Sequence, residues 1–238
     1  MTGLRERNKA KRRTAILDAA VELLAEAPWA EVTTERIAAR AEVAAATVYN
    51  LVGTRDQLLV ALVERVLDSV AGGITGPDGP RDGDPLTIVR RVVDDSTAAF
   101  TAESAAFRRV VVALRLVTGA GGSVDLDPAR LQIAGMREAQ RAGVLDPRFA
   151  PEALGRQVYL SYIGAMQAWA DGDLDDDGFA VMTRHGLVAV LAATALPAHR
   201  DALVMELHQL SRQAASCRRH RPGTQQSEAT TITEEHSR

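Results

Sequence analysis

A chain of 238 residues, 46% apolar and 25% charged, is long enough for a small domain plus a medium one and apolar enough to bury a core. Aromatic residues make up only 4%, which favours helices packed through alanine, valine and leucine over a β-rich core, and the net charge of −3 excludes nothing by itself. No apolar run approaches the roughly 18 residues of a membrane span, the polar N-terminus lacks the apolar stretch of a signal peptide, and the single cysteine, Cys217, makes a reducing cytoplasm the expected compartment.

In chain order, residues 1–13 carry Arg5, Arg7, Lys9, Lys11, Arg12 and Arg13 against one acid, Glu6, whereas residues 14–70 are net acidic. Such an arm either steers toward phosphates or is a solvated, frayed terminus; charge alone does not decide. From about residue 8 to 27, Ile16, Leu17, Ala20, Val21 and Leu24 fall on one helical face, and Pro28 ends the helix. Thr33 and Thr34 precede Ile37, Ala38 and Ala41, which reads as a short helix with a threonine N-cap. A third short helix is expected over about 45–51, and a longer fourth, capped by Thr54, through Leu58, Leu59, Leu62 and Val66.

The stretch 72–85 is dense in Gly, Pro and Asp and reads as an inter-domain loop. Beyond it, helices are predicted near 86–102, 104–118, 127–142, 151–171, 176–195 and 198–216, with breaks at 119–127 and 143–151. Residues 218–238 have few large apolar side chains and read as a disordered tail. No run alternates at period two for long enough to be a strand. The fold class is therefore all-α, with an N-terminal domain over 1–71 and a second over 86–217.

Two short helices joined by a tight turn, after a supporting helix, describe a helix-turn-helix. In that unit the second helix enters the DNA major groove, leading with small and polar residues. Here these are Ala44, Ala45, Ala46 and Thr47, then Tyr49 and Asn50. Ile16-Leu17-Asp18-Ala19-Ala20, Thr33-Thr34, Ile37-Ala38, Ala41-Glu42-Val43, Thr47-Val48-Tyr49 and Thr54-Arg55-Asp56-Gln57-Leu58-Leu59 together resemble the DNA-binding domain of the TetR family of repressors. The resemblance covers only the first domain.

It implies that Thr33, Thr34, Tyr49, Thr54 and Arg55 cap helices or hold phosphates, and that Ala44, Ala45, Thr47 and Asn50 approach base edges. It also implies a homodimer on a palindromic operator in double-stranded DNA, released by a small effector. The helices near 151–171 and 176–195 would form the dimer interface, with Leu187, Val190, Leu191 and Thr194 on one face. An apolar effector would be lined by Phe100, Phe107, Leu114, Tyr159, Tyr162, Met166 and Trp169, all equally readable as ordinary core. Arg108, Arg109, Arg115 and His185 could anchor an acidic group or be solvated.

Three departures from the family pattern stand out. Glu42 occupies the turn position where glycine is usual, Ala44 replaces the serine cap of the recognition helix, and Leu51-Val52 stand where histidine-phenylalanine is common. They leave open an interaction module that has lost DNA binding. An enzyme is not expected, for want of a phosphate loop, a metal-spaced His/Cys cluster or a nucleophile–base pair, and no cofactor or metal is expected. Asp173, Asp175, Asp177 and Gly178 imitate a calcium loop, but Arg184 stands at its twelfth position where a glutamate is required.

Overall fold

The computed structural model describes residues 2–75, 84–118 and 129–217. Ten α-helices and one 3-10 turn account for the regular structure among them, as the all-α reading requires. The expected tail at 218–238, most of the expected loop at 72–85 and all of the break at 119–127 lie outside the described residues.

The first helix, α1 (Thr2–Glu26), starts six residues before the apolar pattern does. Ile16, Leu17, Ala20 and Leu24 are completely buried, so the pattern correctly marked the packed half, while residues 3–12 are all exposed. A 3-10 turn at Trp29–Glu31 leads to α2 (Thr34–Arg40) and α3 (Ala45–Leu51), then α4 (Arg55–Thr75). The side chain of Thr33 caps α2 by accepting from the Arg36 N–H at 3.3 Å. Thr54 opens α4 reciprocally: its Oγ1 accepts from the Gln57 N–H at 3.2 Å, while Gln57 Oε1 accepts from the Thr54 N–H at 2.8 Å. This two-way exchange satisfies two of the orphan donors at a helix start.

The second domain comprises α5 (Thr87–Ala102), α6 (Ser104–Thr118), α7 (Arg130–Arg141), α8 (Pro151–Ala170), α9 (Asp176–Thr194) and α10 (Pro197–Ser216). Bare backbone lets α7 nest between its neighbours. A Cβ on Gly135 would sit 2.7 Å from Val89 of α5, and one on Gly155 of α8 would sit 2.6 Å from Ile133 of α7. Asp175, from the calcium-like sequence, caps α9 by accepting from the Gly178 N–H at 2.8 Å. The loops before α8 and α10 are tied by Asp146 N–H to Thr194 O and Leu196 N–H to Val144 O, both 2.9 Å.

The domains meet through α1 against α6 and α4 against α5 and α6. Arg109 of α6 donates to the carbonyl of Leu24 in the last turn of α1 at 2.5 Å, one of the carbonyls a helix end leaves without an intrahelical partner.

One sequence expectation is overturned here. Leu187, Leu191 and Thr194 are 2%, 0% and 6% exposed and Val190 is half-buried against the core, because α9 lies between α8, α10 and α5, so that face is mostly interior to the protomer. A pattern of apolar residues cannot tell a core face from an interface face. The large apolar side chains left exposed on these last helices are Leu160 of α8 and Met205 of α10.

Candidate functional site

The helix-turn-helix is α2, its turn and α3. The turn closes with the Val43 N–H on Ala38 O at 2.9 Å and the Glu42 N–H on Ala39 O at 3.3 Å. That paired arrangement requires a left-handed residue just past the helix end, and Glu42 adopts it with φ 54°. Glutamate is held where glycine is preferred, at a cost of about 1 kcal/mol, and its side chain is exposed. The N-terminus of α3 has no side-chain cap, although Ala44 already has the extended geometry of a capping residue (φ −71°, ψ 146°). The departures at Glu42 and Ala44 are therefore real structural features.

On α3 only Val48 is fully buried. Ala44, Ala46, Tyr49 and Asn50 are exposed, Tyr49 by 54%, and Thr47 is half-buried. Ala45, expected at the bases, is half-buried and packs against the core, so it has less surface to offer than its neighbours. Thr34 is 5% exposed and sits inside the domain, which withdraws its side chain from the expected phosphate contact. Thr33 and Thr54 are caps.

Arg55 also differs from expectation. Its Nη2 donates to the Trp29 carbonyl and its guanidinium lies 4.4 Å from the centre of the Trp29 ring. Its Nε is buried without a partner. The residue pins the start of α4 to the turn after α1 instead of reaching outward. Nothing in the spacing of Trp29 and Arg55 along the sequence announces their pairing.

A cleft of about 460 Å³ opens beside α3, between it and the exposed start of α1. Arg5, Asn8, Lys9 and Arg12 form one wall and Thr47, Asn50 and Leu51 the other.

In the second domain most of the expected effector-lining residues are packed core. Phe100 and Phe107 are each 3% exposed and meet edge to face at 5.2 Å. Trp169 is fully buried, stacked on Phe179 at 5.0 Å, while Tyr162 meets Phe179 at 5.6 Å. Leu114 and Met166 are partly buried against the same cluster, and Tyr159 is half-buried.

Asp176 gathers this end of the domain. Its Oδ1 accepts from Trp169 Nε1 at 2.7 Å, Ser104 Oγ at 2.9 Å and Arg108 Nη2 at 3.0 Å. Burial opposes its ionisation, but those three donors outweigh it and hold the carboxyl below its ordinary range. Arg108 lies 4.6 Å from the Trp169 ring centre and donates to the Trp169 carbonyl. Arg115 pairs with Asp171 and His185 with Ser211. The four cations considered as ligand anchors thus all have partners within the protomer.

Tyr162 carries the one polar atom of the aromatic cluster that is left over. Its hydroxyl is buried without a well-formed hydrogen bond, beside Thr97, and burial pushes its ionisation far up. Thr97 also lines a polar recess of about 210 Å³ with Thr101, Asp94 and Asp176.

Among the described residues no helix is long and apolar enough to cross a membrane, and no group of His, Cys, Asp or Glu could hold a metal ion.

Residues 16–62 match the family model described as bacterial regulatory proteins, tetR family. This span runs from the first buried residue of α1 to the middle of α4. No curated protein matches the chain. The fold is shared with solved structures at low identity. One, described as the molecular basis for control of antibiotic production by bacterial hormones, is 19% identical, covers 78% of this chain and 98% of its own, and has a TM-score of 0.61. TylP, a TetR regulator from Streptomyces fradiae, is 16% identical over 86% of this chain and 98% of its own, with a TM-score of 0.54. SmeT, the repressor of the Stenotrophomonas maltophilia multidrug efflux pump SmeDEF, is 22% identical over 78% and 91%, with a TM-score of 0.53. The helix-turn-helix geometry and the matched residues agree: residues 16–62 form a DNA-binding segment of the tetR type, and the all-helical fold of the chain is shared with these solved structures.

Proposed function

We propose that this regulator is a homodimeric repressor that reads a palindromic operator with α3 and releases it when a small, mainly apolar molecule enters the second domain. The observation that carries the DNA reading is the outward face of α3, where Ala44, Ala46, Tyr49 and Asn50 are all exposed beside the basic start of α1. Small residues allow close approach, and Asn50 has the donor–acceptor pair that matches an adenine edge. A second copy would sit on the flank of the last three helices that leaves Leu160 and Met205 in water.

The effector reading rests on the aromatic cluster around Phe179 and on the orphan hydroxyl of Tyr162 within it. An apolar ligand bearing one hydrogen-bonding group would satisfy that atom, in keeping with pockets that are mostly apolar with a few placed polar groups. The signal would travel through α6, on which adjacent residues reach in opposite directions. Arg108 holds Trp169 and Asp176 of the effector domain, and Arg109 holds the end of α1 in the DNA-binding domain. A ligand that shifts α6 has differential affinity for two placements of α1, which is all that coupling requires. The lever is then α6 on α1, together with α4, which packs on α5 and α6.

The test is selection of binding sites from random duplex DNA with the purified protein. Enrichment of a palindrome whose half-sites lie about one helical turn apart supports a dimeric reader. A folded protein that enriches nothing at low salt sinks the reading and favours an interaction module, for which Glu42 beside the reading helix would be the reason.

A further inference from the structure

The start of α1 has no packing reason to be helical. Residues 3–12 are all exposed, and an unsupported helix of about ten residues is marginal in water. Its charges make matters worse. Arg5, Lys9 and Arg12 follow the i, i+4, i+7 spacing of one helical stripe, and like charges so placed repel by a few tenths of a kcal/mol per pair. The lone acid, Glu6, stands three residues before Lys9 and can offset at most one of the three charges, so the stripe stays net positive. The stripe is turned onto the cleft of about 460 Å³ whose far wall is Thr47, Asn50 and Leu51 of α3.

From these observations we infer that the cleft is a seat for one DNA strand, with Arg5, Lys9 and Arg12 pairing successive phosphates at the edge of the half-site while Thr47 and Asn50 face the groove. The inference rests on the DNA-reading function proposed above and extends it by a second, sequence-independent contact. At 1.5 Å per residue the stripe runs about 10 Å, which matches roughly three phosphates at 3.4 Å of axial rise each. A polyanion reverses the sign of the stripe's self-repulsion, so the helical arm and the bound strand stabilise each other. Residues 1–13 lie before the segment that matches the family model.

The test compares three full-length proteins on the duplex enriched from random DNA: wild type, the triple variant Arg5→Gln/Lys9→Gln/Arg12→Gln, and the control Arg7→Gln/Lys11→Gln on the opposite side of the helix. The readout is the slope of log K against log KCl, which changes by about 0.9 for each phosphate contact removed. The triple variant is expected to lose a slope of about 2 to 3 per protomer and to enrich the same site from random DNA. The control is expected to change the slope by less than about 1. An unchanged slope in the triple variant, with wild type still binding, overturns this inference and leaves the proposed function standing. Equal losses in both variants show a general field instead of a seat, and an altered consensus shows base reading by the arm; either result overturns the phosphate assignment. If wild type binds no duplex at low salt, both readings fall together.

Discussion

The two tryptophans of the chain are each held by an arginine in the same way, yet the two pins do different work. In both, the guanidinium covers the indole ring and donates to that tryptophan's own carbonyl: Arg55 on Trp29, and Arg108 on Trp169. The second pin is continued. Trp169 is fully buried, stacked on Phe179, and its indole N–H is fixed by Asp176, which also accepts from Arg108 and Ser104. The first stops at two residues: Trp29 is half-buried and Arg55 Nε finds no acceptor. A networked pin holds α6, α8 and α9 as one body, whereas an isolated one leaves the DNA-binding domain the softer partner, the one a signal could move.

The largest expected effect separates the pins directly. Trp169→Ala removes a fully buried aromatic and should cost about 3–5 kcal/mol, whereas half-buried Trp29→Ala should cost clearly less, about 1–3 kcal/mol. Denaturant unfolding of the two variants measures both. Equal losses would erase the distinction between a networked and an isolated pin.

The next effect concerns the arginines. Arg108→Met strips a charged donor from Asp176 and should cost roughly 2 kcal/mol. Arg55→Met should destabilise by about 1 kcal/mol through the lost cation–π contact and hydrogen bond. Because Arg55 is engaged with Trp29, that variant should leave the salt slope of DNA binding unchanged. A slope lowered by about 0.9 per protomer would return Arg55 to the phosphates, as the sequence had suggested.

Acid should also divide the pins. Asp176 is held below its ordinary range in the folded protein, so its contribution is fully present above the unfolded pKa near 3.9 and is lost as pH falls below it. Asp171 beside Arg115 shifts in the same direction and acts in the same domain. The Trp29–Arg55 pair contains no carboxylate, and Glu26 beside Arg40 is a surface pair of little worth. Trp29→Phe leaves Trp169 as the only tryptophan, and Trp169→Phe leaves Trp29. As pH falls from about 4 to 2, the Trp169 signal should change first. Simultaneous loss of both signals would mean that the domains unfold as one unit.

How much of this could be read from the sequence differs between the domains for a physical reason. Most helix positions followed from apolar periodicity and the caps at Thr33 and Thr54 from local chemistry, because each acts within about four residues, while the strained turn at Glu42 followed from the resemblance to a family that has glycine there. The pins did not. Arg55 reaches back 26 residues to Trp29, Arg108 reaches 61 forward to Trp169, and Arg109 reaches 85 back to Leu24. No local pattern encodes which of several arginines turns inward. The same limit misplaced the dimer face, since Leu187 and Leu191 show the apolar spacing that either a core or an interface would show.

The smallest effect tests whether the softness of the first domain lies in its pin or in its turn. Glu42→Gly removes the left-handed strain at φ 54° but leaves a more flexible unfolded chain, so the net gain should be only about 0.5 kcal/mol. It also removes an exposed negative charge one turn from the start of α3, so DNA binding should tighten by more than the stability gain alone explains. If Glu42→Gly stabilises the Trp29 signal against denaturant and leaves the Trp169 signal unmoved, the turn is a separate weak point beside the isolated pin. If neither signal moves while DNA binding still tightens, the strain at residue 42 is absorbed by the paired hydrogen bonds of Val43 and Glu42. The glutamate then acts on DNA through its charge, weakening binding without weakening the fold.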